Sequence, residues 1–541
     1  MKKNDVLTLR ADGLGADLEG VCRYEGMPVF VPGLLPGEEA PVRIVKTEKR
    51  FAFGRMESMP AESSSSRRNP DCPAWPRCGG CTGRHMSYSA TLEAKRQQVE
   101  DCLRRIGGIS VPVAPVLGME NPFHYRNKTS LPVSGTADHP VLGFYAPRSH
   151  AVIPVSACPN AMEPADKIAG TFLSWMKSHH LEPYREAEHA GLIRHLVIRT
   201  NRQQESMVTI VANETFLPYK EELSEALRPL GVVSLWLNSN RQRTNVILSD
   251  TFQLIAGSET LNDRLFDLHF ELSPASFFQI NPAQTEKLYA TAAEYADLRP
   301  EELLADVYCG AGTITLSLAS KCRKAIGIEI VPAAVENARR NTATNHISNA
   351  EFHAGKAEEL LPRFVADGLR PDVIVIDPPR KGVEPPVIQA IAQAGPSRVV
   401  YVSCNPATLA RDAKLLTESG YRVQKVQPVD MFCWTSGIET VCLLSKIRSA
   451  PHIDIDLDMT ELDVTKAETK ATYEEIKAYV LEHTGLKVSC LYIAQVKAKH
   501  GIIERDCYNK PKTEGNRVPQ CPPEKEKVIE DALRHFQMIT D

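Results

Sequence analysis

The sequence predicts an α/β chain built around a Rossmann-like sheet domain. A β-barrel of the oligonucleotide-binding type and a mixed α/β region precede that domain, and a small helical extension follows it. Three observations predict this. Short apolar runs alternate with glycine turns over residues 1–59. Strand, turn and helix signals alternate from about residue 262 to 447, and several strands end in small polar loops. Beyond 448 the strands give way to an acidic stretch and capped helical segments.

Composition bounds the function. The 541 residues have room for about three or four domains, and 43% hydrophobic content is that of an ordinary globular chain. A net charge of −4 means that any nucleic-acid surface must be local. Met1-Lys2-Lys3-Asn4-Asp5 has no apolar stretch behind it, so no signal peptide is expected, and no apolar run approaches the length of a membrane span. With fourteen cysteines, a reducing, cytoplasmic setting is expected, in which thiols serve metals or catalysis more often than disulfides.

Residues 1–59 carry the barrel pattern: Val6 to Leu9, Pro28 to Val31 and Val42 to Val45 are strand-like, with turns at Gly13, Gly15, Gly26, Gly33 and Gly37. Arg43, Lys46, Lys49, Arg50 and Arg55 fall together with Phe51 and Phe53 among them. Basic residues interleaved with aromatics can track a phosphate backbone and stack bases. The same charges also suit a solvated strand edge.

A polar linker precedes Cys72-Pro-Ala-Trp-Pro-Arg-Cys78-Gly-Gly-Cys81, a C-x5-C-x2-C cluster. Cys158, in Ser156-Ala157-Cys158-Pro159, is a candidate fourth ligand. Three clustered thiols and one distant one can hold a four-iron cluster or a tetrahedral zinc, and spacing alone does not choose between them. A helix is expected from Leu92 to Ile106. Within the mixed α/β region, Phe123 to Lys128 sets cations beside aromatics, and Arg126 is singled out there.

From 262 to 447 the chemistry concentrates at strand ends. Leu303 to Val307 is a strand, Tyr308-Cys309-Gly310-Ala311-Gly312-Thr313 a glycine turn, and Ile314 to Ala319 the start of a helix. Glu329 ends the next strand, where an acid can grip a ribose diol. The third glycine of the dinucleotide fingerprint is replaced by Thr315, which points to S-adenosylmethionine over NAD. Val373 to Ile376 is followed by Asp377-Pro-Pro-Arg-Lys-Gly, a rigid loop suited to a planar base or an adenosyl group. Val399 to Val402 ends in Ser403-Cys404-Asn405-Pro406, which presents Cys404 at the lip of a sheet. Burial as a small hydrophobe is the other reading of that thiol. Glu439 opens the last strand.

In the extension, Asp454, Asp456, Asp458, Glu461 and Asp463 form an acidic linker. Helices are expected from the capping box at Thr472 to about His483, from Leu486 to Gly501, and from Pro522 to Met538. Lys497, Lys499, Arg505, Lys510 and Lys512 make auxiliary RNA binding the expectation for this region. Cys490, Cys507 and Cys521 are spaced too widely for a metal site to be expected.

Taken in order, Asp306-Val-Tyr-Cys-Gly-Ala-Gly-Thr, Asp377-Pro-Pro-Arg-Lys-Gly, Ser403-Cys404-Asn405-Pro406 and Glu439-Thr-Val resemble the motifs of the RNA uridine C5-methyltransferase family, over roughly residues 1–447. The barrel resembles a TRAM domain. With Cys72, Cys78, Cys81 and Cys158 it matches the members that act on 23S ribosomal RNA; members acting on transfer RNA commonly lack both features. The resemblance implies three parts: a TRAM barrel (1–59), a central domain with an iron–sulfur cluster (60–261) and an S-adenosylmethionine-dependent methyltransferase domain (262–447); the helical extension (448–541) lies outside it. It implies a [4Fe-4S] cluster on the four cysteines, Cys404 as nucleophile and Glu439 as base. It assigns S-adenosylmethionine contacts to Gln279, Tyr308, Glu329 and Asp377. The family often has Phe-Pro-His where this chain reads Phe432-Cys433-Trp434.

The chemistry expected is transfer of a methyl group to C5 of uridine, giving 5-methyluridine, with Cys404 bonded to C6 meanwhile. A base inside an RNA helix is unreachable, so the nucleotide must be flipped out and stacked. Phe277 or Phe278 is the candidate stack, and Arg126 a contact to phosphate or uracil O4. A monomer is expected. Arg411 is the only cation near Cys404 in sequence. Transfer RNA as substrate, and a non-catalytic RNA-binding protein, are the competing readings.

Overall fold

The computed structural model describes residues 1–447, 471–500, 502, 520–536 and 538–539. Two compact units emerge, Met1–Arg448 and Ser449–Asp541. The acidic residues from Asp454 to Asp463, and Arg505, Cys507, Lys510 and Lys512, lie outside the described residues.

The amino-terminal strands close a five-stranded barrel in the order Val6–Leu14, Gly20–Tyr24, Met27–Val31, Ala52–Met56, Glu39–Thr47. Alternation explains it: Ala40, Val42 and Ile44 point inward, with Arg43 and Val45 between them on the outer face. The basic cluster is partly spent within the barrel. Arg43 makes two 2.9 Å bonds to Glu57, and Lys46 lies 2.7 Å from Glu48. Phe30, Phe51 and Phe53 gather into one outer aromatic cluster with centroids 5.5 to 5.9 Å apart. The Arg148 guanidinium lies 4.7 Å from the Phe53 ring centre.

The central region holds a seven-stranded sheet, ordered Phe252–Gly257, Val232–Ser239, Ser206–Ala212, Ile193–Thr200, Lys128–Gly135, Pro140–Tyr145, Val152–Pro154. The helix Pro164–Ser178 packs Ile168, Phe172 and Met176 into its core. The helix expected at 92–106 runs from Tyr88 to Cys102, and a π-helical turn at Leu103–Gly107 completes it.

The third region is a second seven-stranded sheet, ordered Ala350–Ala354, Lys324–Glu329, Leu303–Val307, Val373–Ile376, Arg398–Ser403, Glu439–Lys446, Tyr421–Val429. The first five strands are parallel and the last two antiparallel to their neighbours. Helices cover both faces, which is why the central strands read as unbroken apolar runs. Ile374, Ile376, Val399 and Tyr401 enter one core, and Val373, Val375, Val400 and Val402 the other.

In the carboxy-terminal unit, helices Tyr473–Thr484, Cys490–Lys499 and Pro523–His535 pack around Ile476, Val480, Ile493, Val496, Ile529 and Leu533. The capping box on Thr472 and Glu475 forms as the sequence indicates. Of the cations expected to serve RNA binding, Lys497 and Lys499 fall within the described residues, and they differ in exposure. Lys497 is buried, with Nζ 4.6 Å from the centre of the Tyr473 ring, and Lys499 pairs with Glu526. A helix favours such placement when a long alkyl stem can fill the core while its ammonium finds a ring.

Candidate active site

Three strand ends converge. Cys404 follows Ser403, and Ser403 stands opposite Thr440 in the antiparallel ladder, so Glu439 is set across from Cys404. Asp377 follows Ile376, whose partner on the thiol strand is Tyr401. Asn405 then fixes the thiol loop. Its Oδ1 accepts from the Ala407 amide at 3.0 Å, opening the next helix, while its Nδ2 donates to the Arg380 carbonyl at 3.1 Å. Thr408 Oγ1 donates to the same carbonyl at 3.4 Å. The Asp377–Gly382 loop is thereby stitched to the cysteine.

The electrostatics of this edge are unusual. Burial pushes the Cys404 thiol up to about 11, Glu439 and Asp377 add to the rise, and Arg380 opposes it. Burial, then Asp377, holds the Glu439 carboxyl well above the usual carboxylate range, again against Arg380. Asp377 is raised to about 7, by burial and then by Asp306. Asp306, fully buried, is raised to about 7 mainly by burial, although Thr315 Oγ1 donates to it at 2.5 Å. Burial thus works against the charged forms of both the Cys404 thiol and the Glu439 carboxyl, and Arg380 works for them.

Beside it lies the glycine turn. Tyr308, Gly310 and Gly312 have φ of 72°, 55° and 80°. At Gly312 a Cβ would come within 2.8 Å of the Phe352 ring, so only glycine fits. Glu329 supports the turn from the neighbouring strand: its carboxylate accepts from the Gly310 amide at 3.0 Å and the Val331 amide at 2.9 Å. The half-buried Tyr308 ring follows the strand, and burial raises its hydroxyl while the Glu384 backbone eases it. Gln279 is buried, and Asn127 Nδ2 donates to its carbonyl at 3.0 Å. Of the two adjacent rings, Phe278 is core, packed against Phe270 at 5.9 Å, and Phe277 is 70% exposed.

The four cysteines also meet. Cys72, Cys78, Cys81 and Cys158 line one small cavity of about 30 Å³ together with Arg84 and Asn160. Donors point at the sulfurs: the Gly80 amide at 3.4 Å from Cys78 Sγ, and Asn160 Nδ2 at 3.3 Å from Cys81 Sγ. Burial pushes Cys81 up to about 11, partly offset by Arg84. Burial likewise raises Cys158, and Arg126 eases it. N–H donors aimed at sulfur suit thiolates bound to a metal group better than free thiols. Among the described residues, no group of three or more His, Cys, Asp or Glu is placed to hold a metal ion. The thiols ring a space instead of converging on one point.

Arg126 stands beside Cys158 and is not among the charges that act on Cys404. Arg411 is engaged elsewhere, bonded to Asp412 at 2.7 Å and to the Lys381 carbonyl at 3.0 Å. The cation that acts on Cys404 is Arg380, which proximity along the chain did not single out. Its signal was its place three residues after Asp377 in Asp-Pro-Pro-Arg. The site predicts a measurable titration. Alkylation of Cys404, followed at its own peptide by mass spectrometry, should accelerate as pH rises toward about 11. Arg380→Ala should move that midpoint up, because a cation favouring the thiolate is lost, and Asp377→Asn should move it down. A midpoint indifferent to both would contradict the electrostatics described.

Comparison with known proteins agrees with this architecture. The family model for tRNA (uracil-5-)-methyltransferases matches residues 87–447, and the TRAM domain model matches residues 3–56. An uncharacterized RNA methyltransferase of Clostridium tetani is 43% identical over 448 residues, covering 82% of this chain and 97% of that protein. One from Listeria innocua is 42% identical over 447 residues, covering 82% and 98%. The crystal structure of Pyrococcus abyssi tRNA (uracil-54, C5)-methyltransferase, in complex with S-adenosyl-L-homocysteine, superposes with a TM-score of 0.65 at 27% identity. It covers 81% of this chain and 100% of that one. A closed barrel, a methyltransferase sheet and a thiol facing a carboxyl thus sit on a chain that belongs to the RNA uracil-5-methyltransferase family and carries an amino-terminal TRAM domain.

Proposed function

We propose that the chain transfers a methyl group from S-adenosylmethionine to C5 of uridine in 23S ribosomal RNA through a covalent bond between Cys404 and C6. The observation that carries the chemistry is the register that sets Cys404 opposite Glu439, with Asp377 on the adjacent strand. The ribosomal substrate rests on the pairing of a TRAM barrel with four cysteines around one cavity. Transfer RNA is the second reading, favoured by the description of the matched family and by the Pyrococcus enzyme.

The turn suits an adenosyl methyl donor: Glu329 is fixed beside it, and Gly312 keeps the turn free of a side chain. Gln279, Tyr308, Glu329 and Asp377 would hold that donor. When bound, S-adenosylmethionine supplies an electrophilic methyl group on a sulfonium. Cys404 does the rest of the activation. Its thiolate adds to C6, the C5–C6 π electrons move toward C5 and O4, and C5 becomes nucleophilic enough to take the methyl. Arg380 favours the thiolate. Glu439 then accepts the C5 proton, the C5–C6 double bond reforms and the sulfur leaves. A carboxyl held above its usual range is a stronger base once ionised, which suits this step. Phe277, exposed next to Gln279, stacks against the flipped base or the gap it leaves. Arg126 contacts RNA from the cysteine side.

The cysteine cavity fits a [4Fe-4S] cluster, because four thiols are spread around one space with N–H donors on their sulfurs. Its proposed duty is to hold the fold of the central region. No helix among the described residues is long and apolar enough to cross a membrane, and a cytoplasmic monomer is the proposed form.

Mass-spectrometric mapping of 5-methyluridine, after incubation with unmodified ribosomal and transfer RNA, tests the function. Methylation of 23S RNA alone is expected; labelling of transfer RNA alone would replace the ribosomal assignment with the second reading. Cys404→Ala should abolish methylation. Glu439→Gln should leave methylated RNA bound to protein and slow its release by about 100-fold or more. Release at the normal rate would remove Glu439 as base. Protein purified without oxygen should carry about four iron and four sulfide per chain. One zinc with no sulfide would overturn the cluster.

A further inference from the structure

The loop that leads to Glu439 is anchored by a buried ion pair at its first residue. Val429 and Glu439 are partners in the ladder, so residues 430–438 form the connection and Asp430 is its first residue. Lys95 and Asp430 are both 0% exposed, with Nζ 2.5 Å from Oδ1. Lys95 also donates to the Phe432 carbonyl at 3.0 Å, and the Tyr88 hydroxyl donates to Asp430 Oδ2 at 2.7 Å. Both donors come from the helix Tyr88–Cys102. Gln284 Nε2 donates to the Asp430 carbonyl at 3.2 Å and Asn281 Nδ2 to that of Met431, also at 3.2 Å. Those two residues open the helix that follows Gln279.

The far half of the loop is held as tightly. Trp434 has a φ of 65°, and its Nε1 donates to the Pro122 carbonyl at 2.9 Å. Its own carbonyl accepts from the Gly83 amide at 2.9 Å, two residues beyond Cys81. The guanidinium of Arg84 lies 5.2 Å from the ring centre of Trp434.

Docking a helix onto a loop needs only apolar contact. A fully buried lysine–aspartate pair is the more expensive solution, and it is severe if one partner is lost. What it adds is direction: each carboxylate oxygen of Asp430 accepts one bond, Oδ1 from Lys95 and Oδ2 from Tyr88, both from one helix. We propose that Lys95 and Asp430 are positioning residues for Glu439, fixing the stem of the 430–438 loop so that the carboxyl stays opposite Cys404. This rests on the reading of Glu439 as the base. Neither residue is among the groups acting on Cys404 or Glu439, so any effect must pass through the loop backbone.

The test separates formation of the Cys404–RNA adduct from its release, using the full chain with S-adenosylmethionine and unmodified RNA, well below each variant's melting temperature. In Lys95→Met and in Asp430→Asn, adduct formation should stay near the wild-type rate. Release should slow on the order of 10-fold or more, the scale expected when a reacting group is displaced by a fraction of an ångström to one ångström. Tyr88→Phe, which keeps the ion pair, should slow release less. The charge-free Lys95→Met/Asp430→Leu pair should recover most of the lost thermal stability and still release slowly. Recovery of release together with stability would overturn the proposal, as would equal slowing of formation and release. If the single variants do not fold, the double variant and Tyr88→Phe decide. Cys404→Ala and Glu439→Gln run in parallel: methylation by Cys404→Ala, or normal release by Glu439→Gln, would overturn the catalytic reading itself.

Discussion

Burial of acids at the carboxyl edge of the catalytic sheet is the constraint around which the site is arranged. Asp306, Asp377 and Glu439 lie at or beside strand ends where water is scarce, and burial is the first cause of the upward shift in each. A parallel sheet covered on both faces leaves its polar chemistry nowhere else to go. The same burial disfavours the Cys404 thiolate and the Glu439 carboxylate alike, which suits the attack and proton removal proposed for them. One cation, Arg380, opposes the rise at both groups, favouring the charged form of each.

The surrounding parts serve that edge by fixing backbone. Asn405 ties the thiol loop to the Asp377 loop, Glu329 ties the glycine turn to the neighbouring strand, and Asp430 ties the base-bearing loop to a helix more than three hundred residues earlier in sequence. The loop bearing Trp434 also touches the cysteine segment through Gly83 and Arg84. The cysteine cavity and the catalytic edge are therefore linked by contiguous packed and hydrogen-bonded groups. This continuity is what the structural duty proposed for the cavity draws on.

What the sequence made legible was local. Apolar runs, glycine turns, the Thr472 capping box and the polar ends of strands follow from residue type and spacing, and the structure has them within a few residues. The pairing of Ser403 with Thr440 and of Lys95 with Asp430 was not legible, because sequence carries no distance between segments so far apart. The nearest cation along the chain, Arg411, is bonded to Asp412, while Arg380 reaches the thiol from another strand's loop. Charge counting misled for a related reason: Arg43 is bound to Glu57, and Lys497 is buried, so neither is the open cation its position suggested. Phe277 and Phe278 are adjacent and chemically identical, and only packing separates the exposed ring from the core one.

The central claim is that Cys404 bonds to C6 of a uridine in RNA. It is tested most directly with RNA carrying 5-fluorouridine at the target position, since fluorine at C5 cannot leave as a proton does and the bond to sulfur persists. After incubation with S-adenosylmethionine and digestion of protein and RNA, mass spectrometry should find one peptide, containing Cys404, joined to a methylated fluorouridine. A bond at another cysteine, or quantitative turnover with no protein-linked nucleotide, would contradict it.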